Sequence, residues 1–189
     1  MAKAHILSLQ PPIYQMKIVL EGIESAIWRR FLVSSNIKLT KLHSVLQIVM
    51  GWGNSHQHEF TAGGISHGEQ SFGLPGRKAD VRKLDLRGIA PKEKDTFMYL
   101  YDFGDSWKHS LTVEKIIEAE PGKRLPECLA GERACPPEDC GGIPGYEMLL
   151  SALSGPKNAD ERDLLDWAGD YDPEYFDLDA INARLDRMR

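Results

Sequence analysis

No apolar run in the sequence approaches the roughly 20 residues that a membrane-spanning helix needs, so no span is expected. The opening MAKAHILSLQPP holds only a brief apolar patch before two prolines, too little for the core of a signal peptide. A cytoplasmic location is the resulting expectation. Cysteine is scarce: three residues, an odd number, which suits a reducing compartment and excludes a disulfide framework. Charge of one sign is also lacking. With 23 basic and 28 acidic residues the net charge is -5, which argues against a surface that binds nucleic acid all over. Four catalytic or nucleotide signatures are missing. There is no G-x-x-x-x-G-K-[ST] phosphate loop, no G-x-S-x-G elbow, no H-E-x-x-H and no C-x-x-C pair.

What is present describes a globular protein. The 189 residues suit one domain, and 42% hydrophobic with 27% charged residues supplies a core and excludes bulk disorder. The charge is unevenly placed. Residues 157–189 carry the whole acidic excess, whereas Arg77 to Lys94 holds seven basic and three acidic residues. Such a stretch makes a local basic face or a solvated loop.

Hydrophobic periodicity sets out the elements. Tyr14, Met16, Ile18 and Leu20 alternate as on a half-buried strand, and Ile27 to Val33 reads as its hairpin partner. Leu39, Leu42, Leu46, Val49 and Met50 recur at helical spacing, and Gly51 suits the left-handed position after a helix. His56 to Ala62 reads as a strand stopped by Gly63-Gly64, and Val81 to Leu86 as a short basic one. Phe97, Tyr99 and Tyr101, then Trp107, His109, Leu111 and Val113, form a second hairpin around Gly104-Asp105. Residues 118–145 are rich in Gly and Pro, contain every Cys and show no period. A compact domain tolerates so long a loop only when it is functional, metal-clamped or self-packed. From Tyr146 onward helical spacing returns. Asn158 with Glu161 forms a capping-box pattern, and Asp177 or Asp179 can cap the last helix. Strands first and helices last predict an α+β fold. It comprises a largely antiparallel sheet, one helix after the first hairpin and a helical C-terminal cluster. The predicted single domain spans 1–189, with a sheet-rich body at about 13–117 and C-terminal helices at 146–189.

Several groups could carry chemistry. His56 and His58 stand two apart, so on a strand both rings project from one face and could ligate zinc or a similar ion; a plain polar strand face is the alternative. Asp102, Asp105, Trp107 and His109 gather at one turn. A carboxylate there can orient an imidazole, but Asp105 can equally cap the turn and His109 can be a satisfied core residue. Cys128, Cys135 and Cys140 lie within 13 positions, with Glu138 and Asp139 between the last two. Three thiolates and His109 could hold a zinc that staples the loop; small buried thiols are the alternative. A nucleophilic Cys135 would need His109 or His58 beside it. Arg29 and Arg30 are neighbours on a strand, so only one can serve a given surface as a phosphate contact.

The blocks IWRRFLV from Ile27, LTKLHSVLQIVMGW from Leu39, HQHEF from His56, YLYDFGDSWKHSLTVE from Tyr99 and CLAGERACPPEDCGGIPGYEMLL from Cys128, with DPEYFDL behind them, together resemble the plasmid pRiA4b ORF-3-like family over Ile13 to Leu185. The resemblance implies a prokaryotic α+β protein and brings no defined activity. Some members carry a label as resolvase-like transposon passengers, and others are joined to DNA-binding segments. The serine-recombinase pattern of a nucleophilic Ser with several arginines is not present here.

Three functional readings follow, and no motif decides that the protein is an enzyme. The leading one is a non-enzymatic binding module with a protein partner. Its surface would comprise Asp102, Asp105, Trp107, His109, Glu138 and Asp139. The second is a metal-dependent enzyme such as a hydrolase, with zinc held by ligands drawn from His56, His58, His109, Cys128, Cys135 and Cys140. The third is a DNA-transaction accessory protein using Arg77, Lys78, Arg82, Lys83 and Arg87, whose binding would fall steeply with salt.

Overall fold

A computed structural model describes residues 10–68, 83–156 and 158–189. Seven strands form one antiparallel sheet: β1 (Ile13–Leu20), β2 (Trp28–Ser34), β3 (His58–Ala62), β4 (Ile65–Gly68), β5 (Thr96–Tyr101), β6 (Trp107–Ile117) and β7 (Glu127–Glu132), in the order β4-β3-β5-β6-β1-β2-β7. Five helices accompany it: α1 (Leu39–Met50), the single turn α2 (Leu86–Ile89), α3 (Gly142–Leu153), α4 (Ala159–Ala168) and α5 (Leu178–Met188). The fold is α+β, with one long helix after the first hairpin and helices gathered at the C-terminal end. No helix among the described residues is long and apolar enough to cross a membrane.

The register arranges inward side chains in rows across the sheet. One row runs His67, Phe60, Tyr99, His109, Leu20; the next runs Phe97, Leu111, Ile18, Arg29, Gly131. A third sets His58 beside Tyr101 and Trp107. These rows form one core with the apolar face of α1, and α5 packs on both α1 and β7. Eight of the twelve α1 residues are buried, because it lies between other elements rather than on a surface. The opposite sheet face is polar, and there Arg30 makes a two-pronged ion pair with Glu114.

Local chemistry explains the boundaries. Gly51 ends α1 in the left-handed conformation at φ 101°, as its position implies. Asn158 caps α4 by accepting from the Glu161 N–H at 2.8 Å, and Asp177 caps α5 by accepting from Ala180 N–H at 2.8 Å.

Four sequence expectations are revised. The strand expected from His56 begins at His58; Gly63-Gly64 stops it at Ala62 as expected and, with φ of 55° and 76°, forms a two-residue hairpin turn into β4, a geometry that glycine admits freely. The expected strand from Val81 gives way, within its described part, to a bridge at Asp85 and the turn α2, capped by Asp85 accepting from Gly88 N–H. The stretch 118–145 holds β7 and the start of α3. β7 escapes notice because Glu-Cys-Leu-Ala-Gly-Glu has no alternation and a bulge breaks its register against β2. In the second hairpin, whose turn was centred on Gly104-Asp105, the positive φ values fall on the flanking Asp102 and Ser106, at 56° and 60°.

Candidate functional site

Three connections meet at one end of the sheet: α1 to β3, the β5–β6 turn, and β7 to α3. Tyr101 joins them. Its hydroxyl accepts from the backbone N–H groups of Ser55 and His56 at 3.0 and 3.3 Å and donates to Glu138 Oε1 at 2.5 Å. Glu138 Oε2 accepts from Gly53 N–H at 3.1 Å. Burial and the carboxylate together hold the Tyr101 phenol well above its usual range, so it stays a donor. The turn packs directly on the third connection. Gly141 N–H donates to Asp105 Oδ2 at 3.2 Å, and a Cβ at Gly142 would lie 2.7 Å from the Asp105 carbonyl oxygen. Only glycine fits there.

This clamp brings His56, Asp102 and Asp139 together. One ligand atom of each lies within 4.8 Å of the others, and no other such group of His, Cys, Asp or Glu exists among the described residues. His56 Nδ1 is 3.6 Å from Asp102 Oδ2, and Nε2 is 3.1 Å from Asp139 Oδ1. The other Asp102 oxygen, Oδ1, accepts from Gly104 N–H at 2.8 Å and so pins the turn.

A second polar group lies deeper. Gln47 Nε2 donates to the Tyr99 hydroxyl at 2.9 Å, which lies 2.8 Å from His43 Nδ1. His43 Nε2 makes a short contact with Asn54 Oδ1, and Asn54 N–H donates to Gln47 Oε1 at 2.9 Å. The four residues close a ring of hydrogen bonds. A consistent set of donors requires the Tyr99 proton to point at His43 Nδ1 and His43 to carry its proton on Nε2. Asn54 sits at φ 62°, a conformation Asn tolerates, and this fixes the chain that leads to His56. His58 stacks flat on His43, with ring centroids 3.5 Å apart and planes 3° apart. Burial, reinforced by His43, pushes the His58 pKa down to about 3.

The structure therefore divides the expected ligands. His56 joins two carboxylates, whereas His58 joins His43. His109 and Trp107 are fully buried and cannot belong to a docking surface. His109 donates from Nδ1 to the Tyr99 carbonyl oxygen, sits edge-on to Trp52, and has its pKa lowered by burial to about 4. The three cysteines and His109 do not converge. Cys128 faces the carbonyls of Arg30 and Ala130, Cys140 that of Gly142, and Cys135 lies 4.0 Å from Arg29. Burial raises their pKa values to about 11, 12 and 12 for Cys128, Cys135 and Cys140, so they are inert thiols rather than nucleophiles.

A guanidinium staples the cysteine-bearing connection. Arg29, 3% exposed, donates to the carbonyls of Val49, Trp28, Glu132 and Arg133 at 2.6–2.8 Å, and lies over the Phe176 ring. A Cβ at Gly131 would come within 2.6 Å of both Arg29 and Phe176, so glycine makes the room. Alternation along β2 sends Arg29 inward and Arg30 outward, and neither is free for phosphate. Of the basic stretch, Lys83 and Arg87 are exposed, while Arg77, Lys78 and Arg82 lie outside the described residues.

Beside Arg29 opens a cleft of about 400 Å³, bounded by the end of α1, the 134–138 segment and the 171–184 segment. Trp52, Pro136, Tyr171, Tyr175 and Phe176 give it an apolar wall; Glu138, Asp177 and Arg184 carry charge on it.

With this geometry established, comparison with known proteins places the chain. The profile of the plasmid pRiA4b ORF-3-like proteins matches residues 12–180. The chain belongs to that family. An uncharacterised protein of Sinorhizobium fredii, y4hQ, is 35% identical over 184 residues, covering 93% of this chain and 92% of its own. A crystal structure of a protein of unknown function from Methanosarcina mazei Go1 has 35% identity and a TM-score of 0.80, covering 89% of this chain and 96% of the other. Family membership thus confirms the resemblance and the fold, and carries no activity with it.

Sequence reasoning missed His43, Gln47, Asn54 and the clamp at Tyr101. One signal was available: His43 and Gln47 stand four apart on the apolar face of a helix, where polar side chains need partners. Nothing local marks Tyr101 as different from Tyr99.

Proposed function

We propose that the protein is a non-enzymatic binding module whose cleft beside Arg29 receives an apolar or aromatic side chain of a protein partner. The cleft itself carries this reading. It is concave, its wall is aromatic, and Arg29 holds that wall in place through bonds to two separate parts of the chain. Preorganised apolar concavities with a few charged groups at the margin are the usual form of a binding site. Arg184 is an exposed cation on this margin, which suits an acidic group next to the inserted side chain. A Cys–His nucleophile has no support in the raised thiol pKa values.

The probe for this reading is 8-anilinonaphthalene-1-sulfonate, an aromatic body with one negative charge. Saturable fluorescence enhancement is expected at one site per chain. Tyr175→Ala and Arg184→Glu should each weaken it at least fivefold while the circular dichroism stays unchanged. Enhancement indifferent to both changes refutes the cleft as the site. A duplex-DNA titration against salt tests the accessory reading; the acidic residues of α4 and α5 oppose it.

A further inference from the structure

We infer that His56, Asp102 and Asp139 form a binding site for a first-row divalent cation such as manganese or zinc. Ligands bonded to one such ion at about 2.0–2.2 Å stand roughly 3–3.5 Å from each other. His56 Nε2 stands 3.1 Å from Asp139 Oδ1, inside that range, and one ligand atom of each of the three residues lies within 4.8 Å of the others, a gap that side-chain rotation closes. The ion takes one nitrogen and a carboxylate oxygen from each aspartate.

A second observation separates this group from an ordinary ion pair. His56 Nε2 is buried and makes no hydrogen bond, although Asp139 Oδ1 lies only 3.1 Å away. The oxygen sits off the line that an N–H donor requires. Two atoms that are close yet misaligned for each other are arranged as ligands of a common third atom are. The donor set selects the cation class. One imidazole with two carboxylates suits manganese or zinc, whereas calcium and magnesium prefer oxygen alone.

The support behind each ligand is built in. Asp102 is fixed by its own turn through Oδ1, which leaves Oδ2 for the ion. The backbone of His56 is tied to Tyr101, and Asp139 follows Glu138, which Tyr101 also holds. The three ligands come from three different connections, so a bound ion cross-links them. The Asp139 side chain is 72% exposed, so the site opens to solvent and leaves coordination positions for water or a donor from a ligand. The inference is independent of the cleft, and neither result decides the other.

The test is a manganese titration of the chelator-treated full chain, read by loss of the free-ion electron paramagnetic resonance signal. Manganese avoids competition from the thiols. One ion per chain is expected for the wild type and for Glu147→Gln, which alters an exposed carboxylate of α3 outside the group. His56→Ala and Asp139→Asn should each lower the affinity at least tenfold, with the circular dichroism of the metal-free protein unchanged. Binding that persists in both variants places the ion elsewhere and overturns the site. Absence of binding to wild type at millimolar manganese also overturns it.

Discussion

The 134–141 segment separates two neighbourhoods of opposite character. On one side, Arg29 is buried with its charge spread over four carbonyls, and Trp52 Nε1 donates to the Pro136 carbonyl while the Tyr171 hydroxyl donates to that of Cys135. On the other side, the Nε2 atoms of His56, His58 and His109 are buried without a hydrogen bond. A folded protein rarely leaves buried polar atoms unsatisfied, because each costs about 1–3 kcal/mol. The saturated side is scaffolding that shapes the cleft wall. The histidine side keeps His58 and His109 neutral by burial and sets His56 beside two carboxylates.

The sharpest break of this contrast is Arg29→Met. It deprives four carbonyls of their donor and should destabilise the protein by about 4 kcal/mol, read from the urea midpoint at constant slope. The outward Arg30→Met should cost less than about 1 kcal/mol, because its pair with Glu114 is partly solvated. Equal losses would erase the distinction between the two arginines.

The histidine side should show itself through pH. His58 and His109 have folded pKa values lowered to about 3 and 4, well under the roughly 6.5 of an unfolded chain. Below pH 6.5 the unfolded state binds protons that the folded state refuses. Stability is therefore retained above pH 6.5 and lost as pH falls towards 4, by roughly 1 kcal/mol per pH unit for each histidine. His109→Phe should reduce the slope of the urea midpoint against pH between 6.5 and 4.5. An unchanged slope would mean that His109 is not held neutral.

Smaller effects refine the picture at the two sheet edges. Asn182 on α5 accepts from Cys128 N–H and donates to the Cys128 carbonyl, occupying the edge of β7 as a further strand would. Asn182→Ala should cost about 1–2 kcal/mol and leave manganese binding intact. At the β3–β4 turn, Gly63→Asn should stabilise by about 0.5 kcal/mol, because Asn suits φ 55° and nothing lies within 4 Å of the new Cβ. Both are measured by thermal melting.

What the sequence disclosed, and what it hid, follows the same division. Local periodicity was enough for β1, β2, α1, β5 and β6, and local capping chemistry was enough for Asn158 and Asp177. The strand β7 was hidden because it exists only by pairing with β2. The candidate site was half legible. His56, Asp102 and Asp139 each stood out as chemistry-bearing, but their meeting depends on a tyrosine hydroxyl that gathers two connections 46 and 37 residues away. Of the two readings of the cysteines, small buried thiols hold, and the three do not converge with His109. A guanidinium that looked like a surface phosphate contact faces inward and supplies the staple.

The most direct test of the two-neighbourhood account is amide hydrogen exchange with and without manganese. Slower exchange is expected at residues 53–58, 102–106 and 138–141, with β7 and α5 unaltered. No change in those three segments, or protection confined to β7 and α5, would contradict the account.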